Sequence, residues 1–166
     1  MPPLEIKLTM PELPATISAF KAEPALRLEV INDTLRACGK ILRAAIKDET
    51  PVGVTGKLRA NTYARLRNEG GDQQLAITQT AKSEAGVSYG WFVREGTRPH
   101  FPPIAAVAPW ARAKGIPPFL VARAIAKHGT KANHYPERAY EKVAGQIDDT
   151  VAQINQMTAE RLAGGK

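Results

Sequence analysis

The chain has 166 residues, 43% of them hydrophobic, which suits one globular domain with a buried core. Its single cysteine, Cys38, excludes an internal disulfide, and no apolar run approaches the ~20 residues that a membrane-spanning helix needs. The formal net charge of +7 favours an anionic partner without identifying one.

Residues 1–24 are predicted to form an N-terminal arm. They contain no cationic segment followed by an apolar one, so a signal peptide is not expected. Apolar and polar residues alternate over residues 4–10, which indicates a strand, and three prolines then interrupt the chain. The arm could pack on its own domain or reach a neighbouring subunit.

A long helix is predicted from about Ala25 to Asp48. Its apolar residues recur at spacings of four, three, four and three, which places them on one helix face. Gly39 weakens this helix, although a glycine on a packed face also permits a close contact. The helix should end before Pro51, because the residue preceding a proline avoids the α region. The predicted stripe consists of Ile31, Leu35, Cys38, Leu42 and Ala45.

An antiparallel meander of three strands is predicted to follow. The strands cover residues 58–67, the segment around Leu75 and Ile77, and residues 87–93. Their connections have hairpin length and leave no room for crossover helices. In the third strand Tyr89 and Trp91 share an alternating face with valines, so we expect both in the core.

Three helices are predicted after the meander, over residues 104–114, 119–127 and about 136–162. Prolines stand at or before the start of each, where their fixed φ favours a helix. Trp110 is expected to anchor the first of them. The last helix has an apolar stripe formed by Tyr140, Val143, Ile147, Val151 and Ile154.

The order of elements indicates an α+β fold. We expect an antiparallel sheet of three to four strands, packed against a long N-terminal helix and a long C-terminal helix, with two short helices between them. Residues 25–163 are predicted to form a single domain, and residues 164–166 a disordered tail.

The loop from Gly96 to Pro103 is predicted to contact a partner. A strand and a proline-started helix hold its ends, so docking would cost little conformational entropy. Phe101 stands between two proline-bearing segments as a rigid apolar side chain suited to a partner's pocket. The predicted interface residues are Gly96, Thr97, Arg98, Pro99, His100, Phe101 and Pro102.

Residues 96–136 contain no Asp or Glu but six Lys or Arg residues and all three histidines. A solvated basic face and an electrostatic contact with nucleic acid both explain this composition. The residues predicted to face DNA are Arg98, Arg112, Lys114 and Lys131.

The sequence contains one internal echo. Gly96-Thr97-Arg98 precedes His-Phe-Pro, and Gly129-Thr130-Lys131 precedes His-Tyr-Pro, with one extra residue in the second copy. A basic side chain near a helix N-terminus could form an anion site. The alternative is that both copies are ordinary entries from a loop into a helix.

Catalytic, cofactor-binding and metal-binding residues are not predicted. The histidines lack carboxylate or cysteine partners at metal-ligand spacing, and Asp148 and Asp149 point apart within a helix. The sequence has no Gly-x-Ser-x-Gly, Walker-type or dinucleotide-binding motif.

Three ordered motifs carry a family resemblance. They read T-P…T-G-K-L-R at residues 50–59, Y-G-W-F-V-R-E-G-T at residues 89–97, and G-T-K…Y-P…A at residues 129–139. With this order and spacing, residues 25–145 resemble the tail-completion and neck proteins of long-tailed bacteriophages. Two places depart from that pattern: the acid in Arg94-Glu95 comes one position later, and His134-Tyr135-Pro136 replaces a Pro-Phe-Phe run.

The resemblance implies a non-enzymatic virion part, made in the bacterial host cytoplasm, that forms a ring at the head–tail junction. Implied partners are other copies of the chain in a hexamer or dodecamer, neighbouring neck, connector and tail-tube proteins, and packaged DNA in the lumen, with no membrane and no cofactor. Two other classes stay open from the residues alone. One is a sequence-tolerant nucleic-acid-binding module, which would show a steep salt dependence, and the other is a small enzyme acting on anionic substrates.

Overall fold

The computed structural model describes residues 4–8, 24–69, 72–83 and 86–164. Its elements, in chain order, are β1 (Leu4–Leu8), α1 (Pro24–Glu49), α2 (Lys57–Ala60), β2 (Thr62–Glu69), β3 (Asp72–Gln79), α3 (Gly90–Glu95), α4 (Ile104–Ala113), α5 (Pro118–His128) and α6 (Tyr135–Gly164). None of the described helices is both long and apolar enough to span a bilayer.

The two long helices pack side by side and form the centre of the core. The predicted stripe of α1 is buried at Leu35, Cys38 and Leu42, which confirms it, and Cys38 is fully enclosed. Burial raises the pKa of the Cys38 thiol, as expected for a structural cysteine. At the C-terminal end of α1, Glu49 accepts hydrogen bonds from Arg138 and Lys142 near the start of α6. The two helices therefore run antiparallel.

The sheet packs on α1 and has the antiparallel order β1-β3-β2. β2 and β3 form a hairpin whose register runs from Thr62 opposite Gln79 to Glu69 opposite Asp72. Gly39 allows the sheet to approach α1, because a Cβ at this position would lie 2.8 Å from a methyl group of Leu75. The predicted α+β class, with an antiparallel sheet and two long helices, is confirmed.

The predicted three-stranded meander is wrong in its strand count, because it contains two strands, β2 and β3. The segment at residues 87–93, predicted as the third strand, enters the helix α3 instead. β1, from the N-terminal arm, lies along the other edge of β3. The predicted start of β2 at Leu58 is also wrong, because residues 57–60 form the helical turn α2 after the left-handed Gly56.

α3 follows the helical period rather than the alternation that predicted a strand. Tyr89 and Val93 are four residues apart, both pack on the core, and the Val93 amide donates to the Tyr89 carbonyl at 3.1 Å. Trp91 is two residues from each and is 39% exposed, so its expected place in the core is wrong. Tyr140 is also exposed, and Ala139 occupies the core position beside it.

A buried polar cluster centred on Gln79 joins the sheet to both long helices. The Gln79 amide donates to the hydroxyl of Thr62 at 3.0 Å and to that of Thr50 at 3.3 Å. The Tyr135 hydroxyl donates to Gln79 Oε1 from the first turn of α6. Burial raises the pKa of Tyr135 far above its usual value, so its hydroxyl stays protonated and remains a donor.

The short helices α4 and α5 follow the predicted bounds closely and pack on each other. Ile147 on α6 is buried as predicted. The division into an arm at residues 1–24 and a single domain at 25–163 stays a prediction. Most of the arm lies outside the described residues, as does most of the predicted tail at 164–166.

Candidate assembly surface

The two Gly-Thr-basic motifs meet in space. The backbones of Thr97 and Thr130 form an antiparallel bridge in which each amide donates to the other's carbonyl at 3.1 Å. Their hydroxyl groups are 3.0 Å apart and share a hydrogen bond. The echo therefore marks a mutual contact between two loops, a reason for it that sequence inspection did not supply.

The glycine of each motif makes this contact possible. Gly96 has φ 73° and Gly129 has φ 71°, which is the region where only glycine is unstrained. A Cβ on Gly96 would collide with the Thr130 carbonyl oxygen, and a Cβ on Gly129 with that of Thr97. The close approach of the two loops therefore requires a glycine on both sides.

An ion pair joins α3 to the start of α6. The Arg94 guanidinium in α3 donates from Nε to Glu137 Oε1 in α6 at 2.6 Å. Burial alone would raise the pKa of Glu137, but the hydrogen bonds and positive charge of Arg94 outweigh it, so this pKa is lowered. The Asn133 amide also donates to the Arg94 carbonyl at 3.0 Å. The entry into α6 is therefore tied to the end of α3.

Two exposed aromatic residues form a pair between the loop at residues 96–103 and α5. Phe101 in the loop is 56% exposed and Phe119 at the start of α5 is 52% exposed, and their ring centroids are 6.4 Å apart. Phe101 is thus exposed as predicted but packs partly on its own chain. Further exposed apolar side chains lie on α4, on α5 and in the turn between them: Ile104, Trp110, Ile116 and Leu120.

A groove of about 1070 Å³ opens between α3, α4 and the paired loops. Trp91 and Phe92 from α3 line one side, and Val107 and Trp110 from α4 line another. Most of the predicted interface contributes to its wall: Gly96, Thr97, Arg98, Pro99, His100 and Pro102. Predicted as a helix anchor, Trp110 is instead 44% exposed beside this groove.

A comparison with known protein families gives a match over half of the chain. Residues 14–96, half of the 166-residue chain, match the family described as "Bacteriophage HK97-gp10, putative tail-component". The chain belongs to this family. No curated protein and no solved structure matches the chain.

Membership of the HK97-gp10-like family confirms the resemblance to phage tail and neck proteins that the three motifs predicted. The matched region begins within the arm and ends at Gly96, so it contains the first motif and all of the second except Thr97, and it excludes the third. The groove and the α4–α5 pair are built largely from residues beyond the match.

The motif residues of the HK97-gp10-like chain meet inside the fold. Thr50 from the first motif and Tyr135 from the third both bond Gln79. Burial raises the pKa of Tyr89 from the second motif, and the nearby Thr55 from the first motif partly offsets this shift. The motifs therefore supply part of the support of the loop, while other motif residues, such as Trp91, Phe92 and Lys131, line the groove itself.

The four predicted DNA-facing cations separate into two places. Arg98 and Lys131 both line the groove, where the bridge between the two loops brings them to one rim. Arg112 and Lys114 are exposed at the C-terminal end of α4, where a positive charge also stabilises the helix dipole. None of the four forms an ion pair with a described residue.

The three histidines lie in loops, at His100 and His134, and at the C-terminal end of α5, at His128. His100 bonds the Arg98 carbonyl through Nδ1 at 2.9 Å, which shapes the loop. Among the described residues no group of three or more His, Cys, Asp or Glu could hold a metal ion.

The sequence did not single out Phe119, Phe92 or Thr130 as parts of this surface. Phe119 occupies a helix start that a pattern of apolar spacing assigns equally well to the core. Thr130 could have been found from the echo, because two matched Gly-Thr motifs suggest a matched pair of backbone conformations.

Proposed function

We propose that this tail component is a structural subunit of a ring at the head–tail junction, joining the connector to the tail tube around the DNA channel. The carrying observation is the concentration of exposed large apolar side chains on the loop at 96–103 and on α4 and α5. Exposed apolar surface such as the Phe101–Phe119 pair and the groove marks a protein–protein contact site. Membership of the family supports a role in the phage tail. The exposed apolar side chains support a role in assembly with other proteins.

The loop at residues 96–103 is the proposed contact with a neighbouring subunit or adjacent neck protein. It is held by the bridge between Thr97 and Thr130 and by the buried Pro102, so little entropy is lost on docking. Phe101 and Phe119 together present an aromatic pair, and aromatic residues commonly dominate the energy of such contacts.

The lumen side is proposed to carry Arg98, Arg112, Lys114 and Lys131. Their exposure and lack of ion pairs with described residues leave them available to phosphate groups. Solvated charges contribute little to stability, so replacing all four by alanine should leave the folded protein intact. If that variant binds duplex DNA as tightly as the wild type, the lumen assignment is wrong.

A second candidate is a sequence-tolerant nucleic-acid-binding module that acts outside the particle. The acid-free segment at residues 96–136 favours it, because six cations there face no competing carboxylate of the same segment. This candidate predicts a monomer or dimer whose DNA affinity falls steeply with salt.

Complementation of a phage that lacks the gene tests the proposed function. The variant Phe101→Ala with Phe119→Ala should fold but give few joined, infectious particles, because it removes the aromatic pair and no core contact. The matched control is Tyr63→Ala, which removes a half-exposed aromatic residue on the sheet and should complement normally. Normal plaque counts with the double variant would contradict the assembly role of this surface.

A further inference from the structure

The exposed face of α5 combines two large apolar residues with two cations. Phe119, Arg123 and Lys127 follow one another at intervals of four, and Leu120 lies beside Phe119, so the four share one helix face. All four are exposed, whereas Ala122 on the inner face is fully buried. Arg123 and Lys127 form no ion pair with a described residue.

The exposed face of α6 has the complementary character. Glu141 and Asp148 are seven residues apart and share this face, and Asp149 lies at its edge, about 100° further round the helix. The neighbouring cations Arg138 and Lys142 share the single carboxylate of Glu49, which leaves one positive charge against three acids, so the net charge of this face is negative. No described residue forms an ion pair with Glu141, Asp148 or Asp149.

Two residues with small side chains alternate with Glu141 and Asp148 along this face. Gly145 and Ala152 are exposed on the same face, and a Cβ at Gly145 would have nothing within 4 Å. The stretch from residue 141 to residue 152 spans about 16 Å of helix, and that from residue 119 to residue 127 about 12 Å. The side chains of α5 could therefore approach the backbone of α6 closely at these two positions.

We propose that α5 of one subunit docks on the exposed face of α6 in a second copy of this chain. This inference rests on the proposed assembly function and names the partner surface within it. Lys127 and Arg123 would face Glu141 and Asp148 with the small Gly145 between them, while Phe119 and Leu120 pack over Ala152. Because the two surfaces differ, the contact is head-to-tail and can close into a ring by rotation.

Charge reversal tests this pairing directly. One variant carries Arg123→Glu with Lys127→Glu, and the other carries Glu141→Lys with Asp148→Lys. Each alone should weaken self-association in sedimentation equilibrium by at least about tenfold, because like charges then meet across the contact. An equimolar mixture of the two should restore association, because the reversed faces attract each other.

The matched control is Arg112→Glu with Lys114→Glu, which makes the same charge change in the same segment but off the α5 face. It should associate like the wild type, and circular dichroism should show that every variant is folded. The pairing is overturned by a wild type that stays monomeric at all concentrations, by reversals that associate normally, or by a mixture that does not recover. A selective loss of DNA binding in the α5 variant, with association unchanged, would assign those cations to nucleic acid and also overturn it.

The complementation assay separates this inference from the proposed function. Reversal variants that associate normally while the wild-type gene still rescues infectivity would remove the pairing and leave the tail role standing. A gene deletion that leaves joined, infectious particles would remove the tail role itself.

Discussion

Gly96 and Gly129 lie on opposite sides of the bridge between Thr97 and Thr130. A Cβ on either glycine would collide with the backbone of the opposite loop. Gly96→Ala should therefore cost more than about 3 kcal/mol, from backbone strain and collision together. Gly56→Ala is the matched control, because Gly56 has φ 60° but open space around it. It should cost only about 1–2 kcal/mol. Urea unfolding measures both, and equal losses would show that the loops can move apart.

The hydroxyl of Tyr135 is predicted to stabilise the protein through Gln79. Tyr135→Phe keeps the ring but leaves the buried Gln79 Oε1 without this donor, which should cost about 1–3 kcal/mol. Tyr140→Phe removes the hydroxyl of an exposed tyrosine five residues later and should change the free energy of unfolding by less than about 0.5 kcal/mol. Equal stability of the two variants would show that water replaces the lost bond.

Ile147 and Trp91 should differ sharply on truncation. Ile147 is buried between the long helices, so Ile147→Ala should cost about 2–5 kcal/mol. Trp91 is 39% exposed, and the Arg94 Cζ lies 5.5 Å from the centroid of its ring. Trp91→Ala should therefore lower the free energy of unfolding by clearly less than the ~3–5 kcal/mol expected for a buried aromatic residue. Chemical denaturation of the two variants gives the comparison. A larger loss for Trp91→Ala would contradict the helical assignment of residues 90–95.

Acid should weaken the joint between α3 and α6. The pKa of Glu137 is lowered in the folded state, so its contribution is present above its unfolded pKa of about 4.3 and is lost as pH falls through the folded value. Glu137→Gln should accordingly flatten the fall in stability between about pH 5 and pH 3. An unchanged slope in Glu137→Gln would show that the ion pair contributes nothing.

The long helices could be predicted because the same spacing is repeated over several turns. In α1 a run of stripe residues agrees on one face, and an error at any one position changes little. The segment at residues 87–93 is too short for this. The alternation of Tyr89, Trp91 and Val93 is compatible with a strand. The spacing of four between Tyr89 and Val93 is equally compatible with a helix, and tertiary packing selects the helix.

The candidate surface was predictable where it depends on local chemistry. Glycine, proline and an exposed Phe101 identified the loop at residues 96–103, and the structure gives Phe101 its exposure. Its support was not predictable, because Gln79 meets Thr50 and Tyr135 only after the strand register and helix packing are set. Phe119 was missed for the same reason, since its place beside Phe101 depends on how α5 folds back.

Electron cryo-microscopy of purified virions tests the central claim most directly. The account predicts several copies of this chain in a ring at the head–tail junction, with residues 96–103 of each copy buried against a neighbouring subunit or neck protein. Particles that lack the chain, or a ring in which Phe101 and the groove beside it face open solvent, would contradict it.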